Sequence, residues 1–180
     1  MRALIKYSTI FGVFSICLAC TPKLSLQSYF VDHLETAGFM AVDIPMSFLN
    51  PDQIELTDDQ NQAVESIDKL NMLAYSLKDG SEDEFTSELA KIKTILKAEV
   101  YNDLIRAGNT SDGKVQVLYI GDDSEIDELI VFGVSPEYGF AIVRVLGDDM
   151  ELSKIMKLRN VVDQFDTKNA NVEDFMKFLL

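Results

Sequence analysis

The chain has 180 residues, of which 47% are hydrophobic, and its 16 Lys and Arg against 30 Asp and Glu give a formal net charge of -14. This composition is typical of one globular domain. The acidic balance argues against nucleic acid as a partner, because phosphate backbones are bound by clustered basic residues, and it argues equally against polybasic attachment to anionic lipid.

Residues 1–19 have the pattern of an export signal. Arg2 and Lys6 precede an uncharged apolar run that ends directly before Cys20. That run is too short to cross a bilayer, which takes roughly 20 apolar residues. A Cys at this place is typical of bacterial lipoprotein signals, in which it is acylated and becomes the first mature residue. We therefore predict a lipoprotein signal peptide, and the alternative is an ordinary signal peptide cut near the same place.

Cys20 is the predicted lipid attachment point, and residues 20–23 form a short tether after it. The preceding box, Cys17-Leu18-Ala19, departs from the usual pattern of Leu followed by a small residue. Acyl chains on Cys20 would hold the domain at a membrane face. No acidic run follows the Cys, which favours an exported domain that faces the periplasm.

The residues 24–166 alternate between helical and strand periodicity, which predicts a single α+β domain. Capping boxes at Thr57–Gln60 and Ser81–Glu84 mark two helix starts. The predicted elements are a helix from Leu24 to Gly38, a strand over 39–44, a helix with Ala63, Val64, Ile67 and Leu70 on its buried face, a strand over 72–77, and a long helix that continues to Leu104 with room for a break near Ala98.

Three β runs between Gly113 and Asp149 predict a closing antiparallel meander. The middle run, Leu129 to Phe132, is apolar without alternation and is expected at the centre of this meander. A helix from Glu151 should then cover the sheet. Residues 167–180 are predicted to form a hinge and a short amphipathic segment, which either packs on the domain or binds a membrane surface or partner.

These elements predict a two-layer α+β sandwich. Its sheet should have about five strands, mostly antiparallel, and its helices should pack mainly on one face.

Carboxylates cluster at two turns of the meander. Asp122, Asp123, Asp148 and Asp149 follow Gly residues at the ends of the first and third runs, and they could meet if both turns lie at one end of the sheet. Ca²⁺ takes six to eight oxygen ligands, so these residues are candidates for a divalent-cation site, although EF-hand spacing is absent. Asp in a solvated turn is the alternative explanation.

No residue pattern predicts catalysis. His33 is the only His in the chain, and a catalytic His needs partners, so we interpret it as structural or solvated. A Ser nucleophile would lack a base, and no Trp is available to stack on a sugar. We predict no catalytic residue and no cofactor, and the remaining enzymatic alternative is a small envelope hydrolase of unrecognised type.

Several segments together resemble a known family. They are the lipoprotein-type signal, GFMAVDIP at Gly38–Pro45, KLNMLAYS at Lys69–Ser76, YIGDDSEIDELIVFG at Tyr119–Gly133, and GFAIVRVLGDDM with KIMKL within Gly139–Leu158. They are similar to the bacterial lipoproteins grouped as Domain of Unknown Function 4252. This resemblance spans Leu24 to Phe165 and implies an export route, an envelope anchor and an α+β fold, but no catalytic residue.

The sequence as a whole predicts a lipid-anchored cell-envelope protein that acts as a non-catalytic binding or structural module. Its expected partners are the membrane, through lipid on Cys20, and an envelope protein, while the oligomeric state stays open. The alternatives are a divalent-cation-dependent domain that uses the acidic turns and the small hydrolase.

Overall fold

A computed structural model describes residues 25–109 and 113–165 together with Phe175. The predicted signal peptide, Cys20, the tether and all of the C-terminal segment except Phe175 lie outside the described residues. Within the described part, no helix is long and apolar enough to cross a membrane.

The domain is built around one six-stranded antiparallel sheet with the strand order β1-β2-β6-β5-β4-β3. The mixed helix and strand fold and the closing meander are confirmed, but the sheet has six strands rather than five. The strands are β1 (Phe39–Pro45), β2 (Ile67–Ser76), β3 (Asn102–Asn109), β4 (Gly113–Asp122), β5 (Glu125–Ser135) and β6 (Gly139–Met150).

Four α-helices and four 3₁₀ turns complete the described chain. The helices are α1 (Leu26–Asp32), α2 (Asp58–Glu65), α3 (Glu82–Ile95) and α4 (Leu152–Ile155), and the 3₁₀ turns are Met46–Leu49, Pro51–Gln53, Met156–Asn160 and Val162–Gln164. The Thr57 side chain accepts a hydrogen bond from the Gln60 N–H, and the Gln60 side chain accepts one from the Thr57 N–H, which confirms that capping box. Ser81 caps α3 by accepting a hydrogen bond from the Glu84 N–H, but the Glu84 side chain accepts from the Tyr75 hydroxyl (3.3 Å) and not from the Ser81 N–H, so only half of the predicted Ser81–Glu84 box forms.

Helices lie on both faces of the sheet, which corrects the prediction of a two-layer sandwich with helices on one face. Successive strand residues point to opposite faces, and along β2 they join two separate cores. Leu73 and Tyr75 pack with α1 and α3, whereas Met72 and Ala74 pack with α2 and α4. We call these the α1/α3 face and the α2/α4 face. The prediction failed because β2, β5 and β6 are apolar on both sides, so each face needs a cover.

Three element boundaries also differ from the prediction. Ile67 and Leu70 belong to β2, not to the preceding helix, because α2 ends at Glu65. The long helix ends at Ile95, near the break considered at Ala98, and Leu104 lies in β3, the strand that the sequence did not predict. The helix predicted after β6 forms only one α-helical turn, α4, and the chain then continues as a 3₁₀ turn.

Candidate functional site

An apolar cavity of about 450 Å³ lies on the α2/α4 face of the sheet. Its floor consists of two rows of side chains that run across the strands, since registered partners in an antiparallel sheet share a face. One row is Met72, Val143, Val131 and Val117, and the other is Ile44, Leu70, Val145 and Leu129.

The walls come from two irregular segments that rise over the sheet. After β1, Pro45 leads into the first 3₁₀ turn, which places Met46 and Leu49 beside the floor. Asn50, with a left-handed φ of 48°, then separates this turn from the second one, Pro51–Gln53. The opposite wall is formed by the end of α4 and the turns after it, through Ile155, Met156, Leu158, Val162 and Phe165.

The centre of the floor is incompletely covered. Val117, Val131 and Val143 are only half-buried in the described structure, although they sit in the middle of the sheet. A β-branched surface in this position normally packs against a helix. The cavity therefore presents apolar surface that an apolar molecule could bury, and its volume falls within the roughly 300–1,000 Å³ of small-molecule sites.

Arg159 is the one charged residue among the described residues that line this cavity. It is exposed, and no described residue forms an ion pair or hydrogen bond with it. Its neighbours in the same segment differ, because Lys154 is paired with Glu151 and Lys157 is paired with Asp59. The guanidinium is thus available to an anionic group at the edge of the cavity.

The acidic candidates lie at one end of the sheet, as the meander permits. Asp122 ends β4 and Asp123 begins the turn to β5. The Asp123 carbonyl accepts a 3.1 Å hydrogen bond from the N–H of Leu152, which follows Asp148 and Asp149 at the end of β6. All four carboxylates are exposed. Across residues 25–109 and 113–165, no group of three or more His, Cys, Asp or Glu side chains is arranged to hold a metal ion.

His33 packs between aromatic rings near the end of α1. Its Nδ1 lies 2.7 Å from the carbonyl oxygen of Tyr29, and its Nε2 lies 3.3 Å from Oε2 of Glu88. The ring centroid is 4.4 Å from that of Phe39. These contacts attach α1 to α3 and the sheet, as a structural His would.

Glu88 connects this cluster to Lys91. Burial raises the pKa of its carboxyl, but hydrogen bonds from Lys91 (2.6 Å) and the Tyr29 hydroxyl (2.9 Å) outweigh that effect and hold the pKa below its ordinary value. The Tyr29 pKa is raised, by burial first and then by Glu88.

A buried ion pair on the α1/α3 face was missed by the sequence reasoning. Arg144 of β6 donates to both carboxylate oxygens of Glu128 in β5, at 2.7 and 2.8 Å, and to Gln27 of α1 at 2.8 Å. The guanidinium also lies 5.2 Å from the ring centre of Phe30. The available signal was the single charge of Arg144 inside an apolar run, since Glu128 stands in an acidic stretch directly before the apolar run of β5. Through Gln27 and Phe30, this pair fixes α1 on the sheet.

A family model described as a domain of unknown function (DUF4252) matches residues 29–158. The match confirms the family that the sequence segments indicated, and it covers the floor of the apolar cavity and most of its walls, while Cys20 and the signal segment lie outside it. No curated protein and no solved structure matches the chain.

Proposed function

The chain belongs to the DUF4252 family, and we propose that it is a lipid-anchored cell-envelope protein whose domain binds one free fatty acid in the apolar cavity. The observation that carries this proposal is the half-covered row of Val117, Val131 and Val143 at the floor of that cavity.

The shape of the cavity favours an acyl chain over a compact polar ligand. Its floor extends across β2, β6, β5 and β4, and apolar side chains form both walls. Each methylene group moved from water into such surroundings contributes about 0.8 kcal/mol. A ligand with several methylene groups in line therefore gains more from this floor than a polar molecule, which would lose its hydration without hydrogen bonds in return.

Arg159 favours a carboxylate at one end of that chain. Guanidinium groups bind carboxylates through two parallel hydrogen bonds, which are stronger than neutral ones. In a chain of formal net charge -14, an unpaired Arg at the edge of an apolar cavity gives an anionic head group a local partner. The carboxylate would stay near water at Arg159 while the tail lies on the valine row.

The predicted anchor agrees with this ligand. Acylation of Cys20 would hold the domain beside a bilayer, where free fatty acids partition because of their apolar tails. The anchor rests on the sequence of residues 1–20, and the cavity rests on the fold, so the two parts of the proposal can be tested separately.

The cavity is tested by titrating the purified full-length mature protein with a fluorescent palmitate analogue. We expect saturable binding that Val131→Trp, which fills the cavity, weakens about tenfold or more, a change of about 1.4 kcal/mol. The matched control is Val115→Trp, an exposed strand valine on the same face outside the cavity, which should bind like the wild type. Absence of binding to the wild type, or equal binding by both variants, would refute the proposal.

The head-group contact is tested with Arg159→Gln, and Lys157→Gln is the control of equal charge change in the same segment. Only Arg159→Gln should weaken the palmitate analogue, and neither should affect an uncharged alcohol of the same length. Equal losses in both variants would show that net charge, and not the position of Arg159, sets affinity.

The anchor is tested by labelling cells with palmitate and separating the chain under denaturing conditions, which remove any ligand that is not covalently bound. We expect label on the wild-type chain and none on Cys20→Ala. Label that survives this substitution would place the acyl group elsewhere.

A further inference from the structure

A second cleft, of about 650 Å³, lies on the α1/α3 face between the end of α3 and the corner formed by β3 and β4. Its lining includes Lys93, Lys97, Arg106 and Lys114, and we call it the basic cleft. We propose that the basic cleft binds a small phosphate-bearing anion, a function separate from that of the apolar cavity.

Three of its cations lack an acidic partner. Among the eleven Lys and Arg side chains of the described residues, six form ion pairs with carboxylates, namely Lys69, Lys91, Arg106, Arg144, Lys154 and Lys157. The five that do not are Lys78, Lys93, Lys97, Lys114 and Arg159. Three of these five therefore meet in one cleft of a strongly acidic chain, where surface carboxylates are abundant and pairing would be easy.

The strand register places polar side chains where the covered face would otherwise stay apolar. The row Leu73, Ile142 and Phe132 continues into Gln116 and Arg106. The row Tyr75, Phe140 and Val134 likewise continues into Lys114. α3 thus rests on apolar residues over most of the sheet and on polar residues at the β3–β4 corner. Packing against α3 therefore does not explain why a lysine stands at position 114.

The acidic residues of the cleft leave its positive charge largely intact. Asp103 is held by Arg106, at 2.5 Å, and by Gln116, at 2.5 Å, and these hydrogen bonds keep its pKa below the ordinary range. Glu99 is the other acid in the lining, and because it forms no ion pair with another described residue, it offsets one of the three unpaired lysine charges. The ammonium groups of Lys93, Lys97 and Lys114 are then the charges that an incoming anion would meet.

The helix dipole explains only part of this arrangement. Lys93 lies in the last turn of α3, where a cation interacts favourably with the partial negative charge of the helix end. Lys114 lies on β4, where no such interaction exists. Its approach to the same cleft requires another explanation, and a shared anionic ligand supplies it.

Phosphate fits this set of donors better than a planar carboxylate. Lysine binds phosphate as a point charge with three rotatable donors, whereas carboxylates favour the planar fork of Arg. The cleft has the volume of a small-molecule site, and the acidic remainder of the chain would repel a long polyanion. The phosphate could belong to a soluble metabolite or to a lipid head group, because both present the same oxygens.

The test uses pyrophosphate as a soluble probe, with calorimetric titration at low salt. We expect measurable binding to the wild type that weakens with added salt. Lys114→Gln and Lys97→Gln should each raise the dissociation constant by about tenfold, the effect of losing one charge-assisted hydrogen bond. The control is Lys78→Gln, which removes an unpaired lysine outside the cleft and should leave binding unchanged.

A second arm identifies the source of the phosphate. Sedimentation is measured with vesicles of phosphatidylcholine alone and with phosphatidylglycerol added, using Cys20→Ala protein so that no acyl anchor contributes. Binding to the anionic vesicles that Lys114→Gln abolishes would assign a lipid head group, and binding to pyrophosphate without vesicle binding would assign a soluble ligand.

Two results would overturn the proposal. One is the absence of binding to both probes. The other is a loss of pyrophosphate affinity in Lys78→Gln equal to that in Lys114→Gln, which would show an effect of net charge alone.

Val131→Trp serves as a further control, because the apolar cavity lies on the opposite face. It should bind pyrophosphate normally, so failure of either proposed site can be distinguished from failure of the other.

Discussion

Removing the cation of the buried Arg144–Glu128 pair should strongly destabilise the domain. Both side chains are almost inaccessible, at 5% and 9% exposure, and the pair is bidentate. Arg144→Met keeps most of the side-chain volume but leaves the carboxylate of Glu128 buried without a counter-charge. Breaking a buried pair in this way costs about 3–5 kcal/mol. For a domain of this size that corresponds to a fall in Tm of roughly 6–20 °C.

The double variant Arg144→Met/Glu128→Leu separates the cost of the orphaned charge from the cost of lost packing. Replacing both partners with apolar residues is often neutral or stabilising, so we expect the double variant to recover most of the loss. Urea unfolding of the wild type, each single variant and the double variant gives the coupling energy directly. Arg144→Met as stable as the wild type, or a double variant less stable than Arg144→Met, would refute the view that an unpaired buried carboxylate causes the loss.

Two further predictions concern the backbone and the acid response. Gly139 has φ of +126°, and an added Cβ would lie 2.0 Å from the Tyr75 carbonyl oxygen, so Gly139→Ala should cost about 1–3 kcal/mol in urea unfolding. Gly133→Ala, whose Cβ meets nothing within 4 Å, should change stability by roughly 0.5 kcal/mol or less; equal costs would contradict the clash. Because hydrogen bonds from Lys91 and Tyr29 hold the Glu88 pKa below its ordinary value in the fold, the stabilising contribution of Glu88 is present above that ordinary value and is lost as the pH falls through the folded pKa. The stability advantage of the wild type over Glu88→Gln should therefore shrink in acid, and a gap that is constant with pH would exclude this assignment.

Local patterns were sufficient for the meander and the helix starts. The runs from Gly113 to Asp149 combine β-branched residues with turn residues at each end, and Thr57 and Ser81 carry cap signals that act within four residues. β3 could not be found in this way. Its sequence, Asn102–Asn109, has Leu104 at helical spacing from the preceding apolar residues, and only its pairing with β4 makes it a strand.

The candidate sites depended on information that periodicity does not contain. The strand pattern of the sequence identified Val117, Val131 and Val143 as apolar strand residues. It did not show that the segments covering this face leave space above them. The basic cleft likewise brings Lys97, after the end of α3, close to Lys114 on β4. The two lysines are separated in sequence by β3, and only the pairing of β3 with β4 brings them together. Volumes and unpaired charges arise from tertiary packing, which the alternation of residues does not specify.

The open sheet also bears on how this protein resists aggregation. Its two edges, β1 and β3, expose backbone groups with which a strand from another copy could pair. β1 ends in Pro45, which has no N–H to donate, and β3 carries a register shift between Asp103 and Ile105 beside the charged side chain of Arg106. Prolines, bulges and charges at edges all oppose the addition of a strand. Each edge of the sheet therefore carries a feature that opposes its pairing with the edge of another copy.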